Sequence, residues 1–182
     1  PEKVAQCIES LKNNCTLPVT IKHRIGVDND DSFMNLNNFV RRIANAGADR
    51  FIVHARKAIL KGLNPKQNRT IPPLKYDVVK KLKKSNPELL IEINGGFTNV
   101  EESLEALHDF DGVMIGRSAY KHPLRWSGID QKVYGINTKS KSASEIIFSL
   151  VPYIEKHLTN GGKSWDICKH RSEEHTSELQ SL

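Results

Sequence analysis

The sequence predicts an α/β fold in which parallel β-strands alternate with α-helices. Short runs of β-branched and aliphatic residues recur along the chain, each bounded by glycine, asparagine or proline. Segments whose apolar residues repeat with the helical period lie between these runs. Because the two kinds of segment alternate in order, we expect parallel strands that are joined by helical crossovers.

Four apolar runs have the length and composition of buried parallel strands. They cover residues 17–22, 50–54, 89–94 and 112–116. Helical periodicity covers residues 4–11, 32–46, 76–82 and 100–107. Gly47 suits a left-handed cap at the end of the second helix, and Thr98 and Glu101 have the spacing of a capping box at the start of the fourth. Four strands are half the content of an eight-stranded barrel.

The sequence changes character after Gly128. Residues 139–144 form a polar linker, and residues 145–158 predict one continuous helix with an apolar face. We therefore expect half of a barrel over residues 1–140 and the start of a separate all-helical domain over 141–170. Residues 171–182 are polar without apolar periodicity, and we expect a non-native tail there, with a native flexible tail as the alternative.

The composition is that of an ordinary globular protein. Of 182 residues, 27 are Lys or Arg, 21 are Asp or Glu and 38% are hydrophobic, which excludes a disordered or fibrous chain. No apolar run approaches the roughly 18 residues of a membrane span, and the N-terminus has no signal-peptide pattern. The three cysteines form no CxxC pair. We expect a cytoplasmic protein with no membrane partner and no metal site.

Polar residues or glycine follow every predicted strand, at the edge where a barrel of this kind collects its chemistry. In chain order they are Lys22-His23-Arg24, His54-Ala55-Arg56, Asn94-Gly95-Gly96 and Gly116-Arg117. Glycine turns on two consecutive strands allow backbone N–H groups to approach an anion, so the last two strand ends predict a phosphate site. The alternative is that these glycines serve only tight strand-to-helix turns.

Two further residues at this edge are candidates for ligand contacts. Lys22 ends the first predicted strand, and an ammonium pointing into the barrel would stabilise negative charge on a ring or a carbonyl group. His54 can donate a hydrogen bond to a ligand or titrate near neutral pH. Taken singly, a lysine there is more often solvated and a histidine more often structural, so only the whole set supports a site.

Positive charge is concentrated in one segment. Between Arg56 and Lys84 there are ten Lys or Arg residues and one acid, Asp77, an excess of +9 in 29 residues. We expect the lysines of 80–84 to be a solvated helix face. Residues 57–73, here called the basic loop, contain three prolines and follow the second strand. Long loops are usually functional, and this charge indicates a polyanionic substrate, with nucleic acid the first candidate.

Five motifs, in this order along the chain, resemble the tRNA-dihydrouridine synthases, and the basic loop is similar to that of the bacterial A-type subfamily. The motifs are PVTIKHRIGVD at 18–28, VHARK at 53–57, GLNPKQNRTIPPL at 62–74, EINGG at 92–96 and VMIGR at 113–117. The resemblance implies a (β/α)8 TIM barrel that binds FMN, with only the last four strands present here, followed by the start of an all-helical domain that holds tRNA. It also implies reduction of uridines in tRNA to dihydrouridine, with NADPH as the reductant.

The same resemblance implies roles for individual residues. Lys22 would contact the flavin and favour its reduced, anionic form, and His54 would bind the flavin or its side chain. Lys66 and Arg69 match loop positions that contact tRNA in the subfamily, and the target uridine would leave its stack to reach the flavin. The residues implied to hold the FMN phosphate are Asn94, Gly95, Gly96, Gly116 and Arg117.

One departure from the family pattern is important. The family's proton donor is a cysteine after the fourth barrel strand, a position that would lie before Pro1 here. We do not expect Cys7, Cys15 or Cys168 to replace it, because none falls at the ligand-binding edge. The expectation is a C-terminal half-barrel fragment that is inactive and prone to aggregation by itself, from a protein that is monomeric at full length.

Two other functions stay open at this point. A phosphate-binding barrel enzyme that acts on a small sugar phosphate would hold no flavin and would not respond to tRNA. A non-enzymatic RNA-binding module would use only the basic loop and would bind tRNA in a salt-dependent way after Lys22→Ala or Arg117→Ala. The alignment of polar residues at four strand ends argues against this second alternative, because RNA binding alone does not need it.

Overall fold

The structure is a computed structural model that describes residues 1–137 and 141–168. The chain divides into two compact units, one covering residues 1–116 and the other beginning at Arg117. The expected non-native tail lies outside the described residues, and the predicted domain boundary at residue 140 stays a prediction. Within the described ranges, no helix combines the length and the apolar character that crossing a membrane requires.

The first unit is built on one parallel sheet of four strands, which confirms the predicted α/β class. The strands are β1 (Thr20–Arg24), β2 (Arg50–His54), β3 (Ile91–Asn94) and β4 (Gly112–Met114), and neighbours in sequence are neighbours in the sheet. The helices are α1 (Glu2–Asn14), α2 (Phe33–Asn45), α3 (Tyr76–Ser85) and α4 (Val100–Ala106). Helix α1 precedes β1, and each later helix connects one strand to the next.

One face of the sheet is buried under the helices. Successive residues of a strand point to opposite faces, and four residues of the covered face have no exposed area: Phe51, Val53, Ile91 and Ile93. Apolar residues of the helices complete this core, namely Ala5, Ile8, Val40, Ile43, Val79 and Leu82. The opposite face of the sheet carries most polar residues of the strands, whereas His23, opposite Val53, lies on the covered face.

Strand β1 begins and ends later than the sequence predicts. Pro18 has no N–H group to give to a sheet, and the N–H of Val19 donates to the carboxylate of Asp49 at 2.6 Å. These residues therefore lie outside the strand. The prediction that Lys22 ends β1 is wrong, because Lys22 is its central residue and Arg24 is its last.

The second unit contains helices and no strand in its described residues. They are α5 (Arg117–Lys121), a 3₁₀ turn (Pro123–Trp126), α6 (Ile129–Tyr134), α7 (Ala143–Ser149), α8 (Val151–Thr159) and α9 (Ser164–Cys168). The prediction of one helix over 145–158 is wrong, because α7 gives way to α8 at Leu150. Pro152 has no N–H group to donate to the carbonyl four residues earlier, which explains why the helix is interrupted there.

A fully buried polar side chain, Asn86, joins the end of α3 to α2. Its Oδ1 accepts from Arg41 Nε at 3.0 Å, and its Nδ2 donates to Asn37 Oδ1 at 2.8 Å and to the Leu82 carbonyl at 2.9 Å. We expect Asn86→Ala to lower the free energy of unfolding by about 2 kcal/mol, because it leaves these groups without their partner. Urea unfolding measures this change. A loss no larger than that of Asn13→Ala, on the exposed side of α1, would contradict it.

The imidazole of His23 is held on the helix-covered face of β1. Its Nδ1 lies 2.8 Å from the carbonyl of Arg24, and its ring meets Phe39 and Phe51 edge-on, with centroid distances of 5.1 and 6.3 Å. Burial lowers the pKa of His23; the bond to the carbonyl opposes this shift, and the charge of Lys22 adds to it. The folded protein therefore resists protonation of this ring.

This resistance makes stability depend on pH. A histidine in the unfolded chain has a pKa of about 6.5, so below that pH the unfolded state takes up a proton that folded His23 resists. The free energy of unfolding should fall as the pH drops from about 6.5 toward the lowered pKa of His23, and His23→Phe should reduce that fall. Urea unfolding over this pH range provides the measurement. The matched control, His108→Phe at an exposed position, should leave the fall in place, and an equal effect of both variants would refute the assignment.

Candidate functional site

The open face of the sheet carries polar side chains at its carboxyl edge. Strand register places Arg24 opposite His54, His54 opposite Asn94, and Asn94 opposite Met114. Lys22 lies on the same face, two residues before Arg24, because side chains alternate along a strand. Three of the candidate residues, on three different strands, therefore share one face near one edge.

A series of hydrogen bonds fixes the ammonium of Lys22. Its Nζ reaches past β2 and donates to Asn94 Oδ1 at 3.0 Å. Asn94 Nδ2 donates in turn to the carbonyl of Met114 at 2.8 Å, which orients the amide so that its oxygen faces the lysine. Burial lowers the pKa of Lys22, and the charge of Arg24 lowers it further. Lys22 itself is exposed, and an ammonium oriented in this way favours a negatively charged ligand.

The turn after β3 packs closely against the neighbouring site residues. Gly95 and Gly96 have φ values of +117° and +86°, in the region that favours glycine. A Cβ atom at Gly95 would lie 2.6 Å from His54 Cδ2, and one at Gly96 would lie 2.6 Å from Leu74 Cδ1. The Tyr76 hydroxyl donates to the carbonyl of Gly95. Backbone conformation and packing already require both glycines, so the tight-turn alternative accounts for them without a ligand.

Gly116 and Arg117 follow β4 at the boundary between the two units. A Cβ atom at Gly116 would meet no other atom within 4 Å, so packing among the described residues gives no reason for a glycine there. Arg117 begins α5 and belongs to the second unit. The part of these two residues in phosphate binding stays a prediction.

The basic loop is folded and hydrogen-bonded. A 3₁₀ turn over Gln67–Arg69 forms its middle, and Pro72 is fully buried. Asn64 and Gln67 exchange hydrogen bonds between side chain and backbone, both at 2.9 Å, across the start of this turn. Of the two residues predicted to contact tRNA, Lys66 directly precedes this turn and Arg69 is its last residue, and both are exposed.

Acidic residues from outside the basic segment neutralise part of its charge. The ion pairs are Lys57–Asp31 at 3.1 Å, Lys75–Asp31 at 3.5 Å, Lys80–Asp109 at 2.6 Å and Lys83–Asp111 at 2.7 Å. Lys80, Lys81 and Lys84 are exposed, as expected for a solvated helix face, whereas Lys83 is half-buried; the turn after α4 brings aspartates to Lys80 and Lys83. None of these four pairs involves the 3₁₀ turn of the basic loop.

Sequence reasoning assigned no role to Arg24, which links the sheet edge to the basic loop. Its Nη1 donates to the carbonyls of Lys57 and Asn68, both at 2.8 Å. Burial lowers the pKa of Arg24, and the charges of Arg56 and Arg69 lower it further. A polyanion would relieve the repulsion among these three guanidinium groups. The sequence does contain a signal for Arg24, because residues two apart in a strand share a face and Arg24 follows Lys22 by two.

The cysteines lie elsewhere in the structure. Cys7 is exposed on α1, and Cys15 directly follows that helix, before the amino end of β1. Cys168 is the last residue of α9 in the second unit. In the part of the chain that the structure describes, no group of three His, Cys, Asp or Glu side chains is placed to hold a metal ion.

Comparison with solved structures gives a weak likeness. A phosphoenolpyruvate phosphomutase from Streptomyces platensis subsp. rosaceus has a TM-score of 0.48 and 14% sequence identity, covering 97% of this chain and 77% of that one. This likeness supports no argument about function.

Comparison of sequences gives a much stronger result. The family model for dihydrouridine synthase (Dus) matches residues 1–179. Relatives named tRNA-dihydrouridine(20/20a) synthase are 48% identical in Synechocystis sp., 45% in Shewanella oneidensis and 43% in Pseudomonas putida, each over 170 residues. These alignments cover 93% of this chain and 51% of each relative, so the chain spans about half the length of the curated relatives it matches. The match over nearly the whole chain shows that it belongs to the dihydrouridine synthase family.

Proposed function

We propose that this chain is part of an FMN-dependent tRNA-dihydrouridine synthase that reduces uridines in tRNA with NADPH as the reductant. The names of relatives at 43% to 48% identity support this activity. The observation that carries the proposal is the bond between Lys22 Nζ and Asn94 Oδ1, which places a fixed cation at the carboxyl edge of the sheet. The target would be a uridine of the kind that the relatives' names specify.

The four parallel strands are, in this proposal, the last four of an eight-stranded (β/α)8 barrel. Their in-order parallel arrangement and alternating helices are typical of that fold. The polar face of the sheet would point into the barrel, and its carboxyl edge would form part of the active-site mouth. The reduction also needs a proton donor, and neither Cys7 on α1 nor Cys15 just after it is proposed for that role, because neither lies at the carboxyl edge.

The residues at the carboxyl edge fit FMN. FMN carries a phosphate and gains further negative charge when its ring is reduced, so a cofactor site needs cations and N–H donors. Lys22 provides an ammonium, and the Asn94 amide holds it in place. His54 is buried beside the turn at Gly95 and can donate a hydrogen bond from its ring. The residues proposed to hold the FMN phosphate are Asn94, Gly95, Gly96, Gly116 and Arg117.

When bound, FMN supplies the hydride that saturates the C5–C6 bond of the uridine. Lys22 would stabilise negative charge on the reduced cofactor, in the manner of a preorganised electrostatic group. Asn94 would keep the ammonium aimed at the cofactor through its second bond to the Met114 carbonyl. His54 would orient the cofactor from the adjacent strand.

The basic loop would hold the tRNA substrate. Lys66 and Arg69 are exposed at the 3₁₀ turn, where cations can contact phosphates of the nucleic-acid backbone. Arg24 and Arg56 extend the positive charge from the loop toward the sheet edge. A uridine extruded from the tRNA would thus follow a path of positive potential toward the cofactor.

Substitution of Lys22 tests the cofactor site. We expect Lys22→Ala to weaken FMN binding about tenfold or more, because a charge-assisted hydrogen bond contributes about 1.5–3 kcal/mol. The measurements are FMN titration by fluorescence and the dihydrouridine content of tRNA after incubation with NADPH. Both use the protein encoded by the complete reading frame that contains this sequence.

The matched control for this test is Lys84→Ala, which removes an exposed lysine at the far end of α3. It should leave FMN binding and dihydrouridine formation unchanged. If the protein binds neither FMN nor tRNA, the proposal is contradicted and an enzyme that acts on a sugar phosphate is favoured. Salt-dependent tRNA binding without any bound flavin would instead favour an RNA-binding module.

Salt dependence tests the basic loop. Lys66→Ala and Arg69→Ala should each weaken tRNA binding and reduce the slope of log Kobs against log salt concentration by about one, because each variant loses about one phosphate contact. Filter binding at several salt concentrations gives both quantities, with Lys84→Ala again as the charge-matched control. Slopes that match the control would show that the basic loop does not bind tRNA.

A further inference from the structure

We propose that Asn68 is a positioning residue that holds the basic loop in its tRNA-binding shape before tRNA arrives. This inference rests on the proposed tRNA-binding function of Lys66 and Arg69. Asn68 itself is half-buried inside the loop, whereas those two cations are exposed on either side of it. Its role would be to fix where the cations lie.

The side-chain amide of Asn68 joins two parts of the basic loop through hydrogen bonds to Ile59 and Leu63, a set here called the staple. Its Oδ1 accepts from the N–H of Ile59 at 2.7 Å, and its Nδ2 donates to the carbonyl of the same residue at 2.7 Å. Nδ2 also lies 3.2 Å from the carbonyl of Leu63. An asparagine side chain offers an acceptor and two donors, and this geometry uses both kinds of group. Neither an aspartate nor an alanine can reproduce the set.

The backbone of Asn68 is attached in turn to the edge of the sheet. Its carbonyl accepts from Arg24 Nη1 at 2.8 Å, and the same nitrogen donates to the carbonyl of Lys57 at 2.8 Å. One guanidinium group therefore ties the middle and the start of the loop to the last residue of β1. The loop and the candidate cofactor site share this anchor.

The start of the loop is held independently by a short parallel bridge. Ala58 N donates to the Gly26 carbonyl at 2.8 Å, and Asp28 N donates to the Ala58 carbonyl at 2.7 Å. The N–H of Leu60 donates to Asp28 Oδ1 at 2.8 Å. With this end fixed, the Asn68 amide is the side chain that joins the remaining arch, which carries Lys66, back to Ile59, in addition to the turn bonds between Asn64 and Gln67.

Preorganisation of this kind raises affinity without adding a contact. A flexible loop loses conformational entropy when it binds, and a loop that is already ordered avoids most of that cost. If the binding shape is populated only in part, the apparent Kd rises in inverse proportion to that population. Loss of the staple should therefore weaken tRNA binding while leaving the number of phosphate contacts unchanged.

The test compares Asn68→Asp with Gln67→Glu in the protein from the complete reading frame. Both variants add one negative charge at neighbouring positions. Gln67→Glu keeps the acceptor that receives the Asn64 N–H, whereas Asn68→Asp replaces the donating Nδ2 with a carboxylate oxygen that faces the carbonyl oxygens of Ile59 and Leu63. Asn68→Ala removes the same side-chain hydrogen bonds without adding a charge. Bound flavin reports whether each variant is folded.

We expect trypsin to cleave after Lys61 and Lys66 about tenfold faster in both Asn68 variants than in Gln67→Glu, because the loop opens more often. Asn68→Asp should bind tRNA about tenfold more weakly than Gln67→Glu, with the same slope of log Kobs against log salt. Cleavage rates equal to that of Gln67→Glu would show that the hydrogen bonds of Asn68 do not hold the loop closed. Faster cleavage with tRNA affinity equal to that of the control would overturn the positioning role.

Failure of the proposed function gives a different result. If Lys66→Ala and Arg69→Ala leave tRNA binding unchanged, the loop does not bind tRNA. In that case Asn68 cannot position the loop for tRNA either. The cleavage rates would still decide whether Asn68 holds the loop. The two failures are therefore distinguishable in one set of proteins.

Discussion

The alternation of side chains along four parallel strands is the constraint on which the rest of the structure depends. Burial of Phe51, Val53 and Ile93 under the helices fixes which face of each strand is covered. The period of two then obliges Lys22 and Asn94 to share the opposite face. A slip of one residue in any strand would exchange the two faces, so the hydrophobic core determines the position of the site.

Placing several cations close together on the open face costs free energy. Hydrogen bonds to these side chains offset part of that cost. Lys22 and Arg24 both have lowered pKa values, first because of burial and then because of neighbouring positive charge. The Asn94 amide orients the lysine, and two backbone carbonyls hold the arginine. An edge built in this way is poised for an anion, since a bound negative charge removes repulsion that the folded chain otherwise retains.

The sequence predicts the order of elements well because strand and helix periods are local properties. Strand limits depend on distant partners, and the bond from Val19 to Asp49, 30 residues apart, explains why β1 starts late. The error in the limits of β1 does not change the face of the sheet on which Lys22 lies, because side chains alternate along the strand wherever it ends. Tyr76 and Asn68 were missed for a related reason: the groups they bind are backbone carbonyls and, for Asn68, a backbone N–H, which no sequence motif distinguishes.

The positive charge of residues 56–84 is distributed between lysines paired with aspartates and the exposed part of the basic loop. The order of the basic loop comes from several side chains, among them the neutral amide of Asn68, the guanidinium groups of Arg24 and Arg56, and the Asn64–Gln67 pair. Lysines that stabilise the fold, such as Lys80 and Lys83, are paired with aspartates on the helix side. None of these hydrogen bonds in the loop is made by the side chain of Lys66, so under the proposed function its exposed ammonium would contact tRNA without disturbing them.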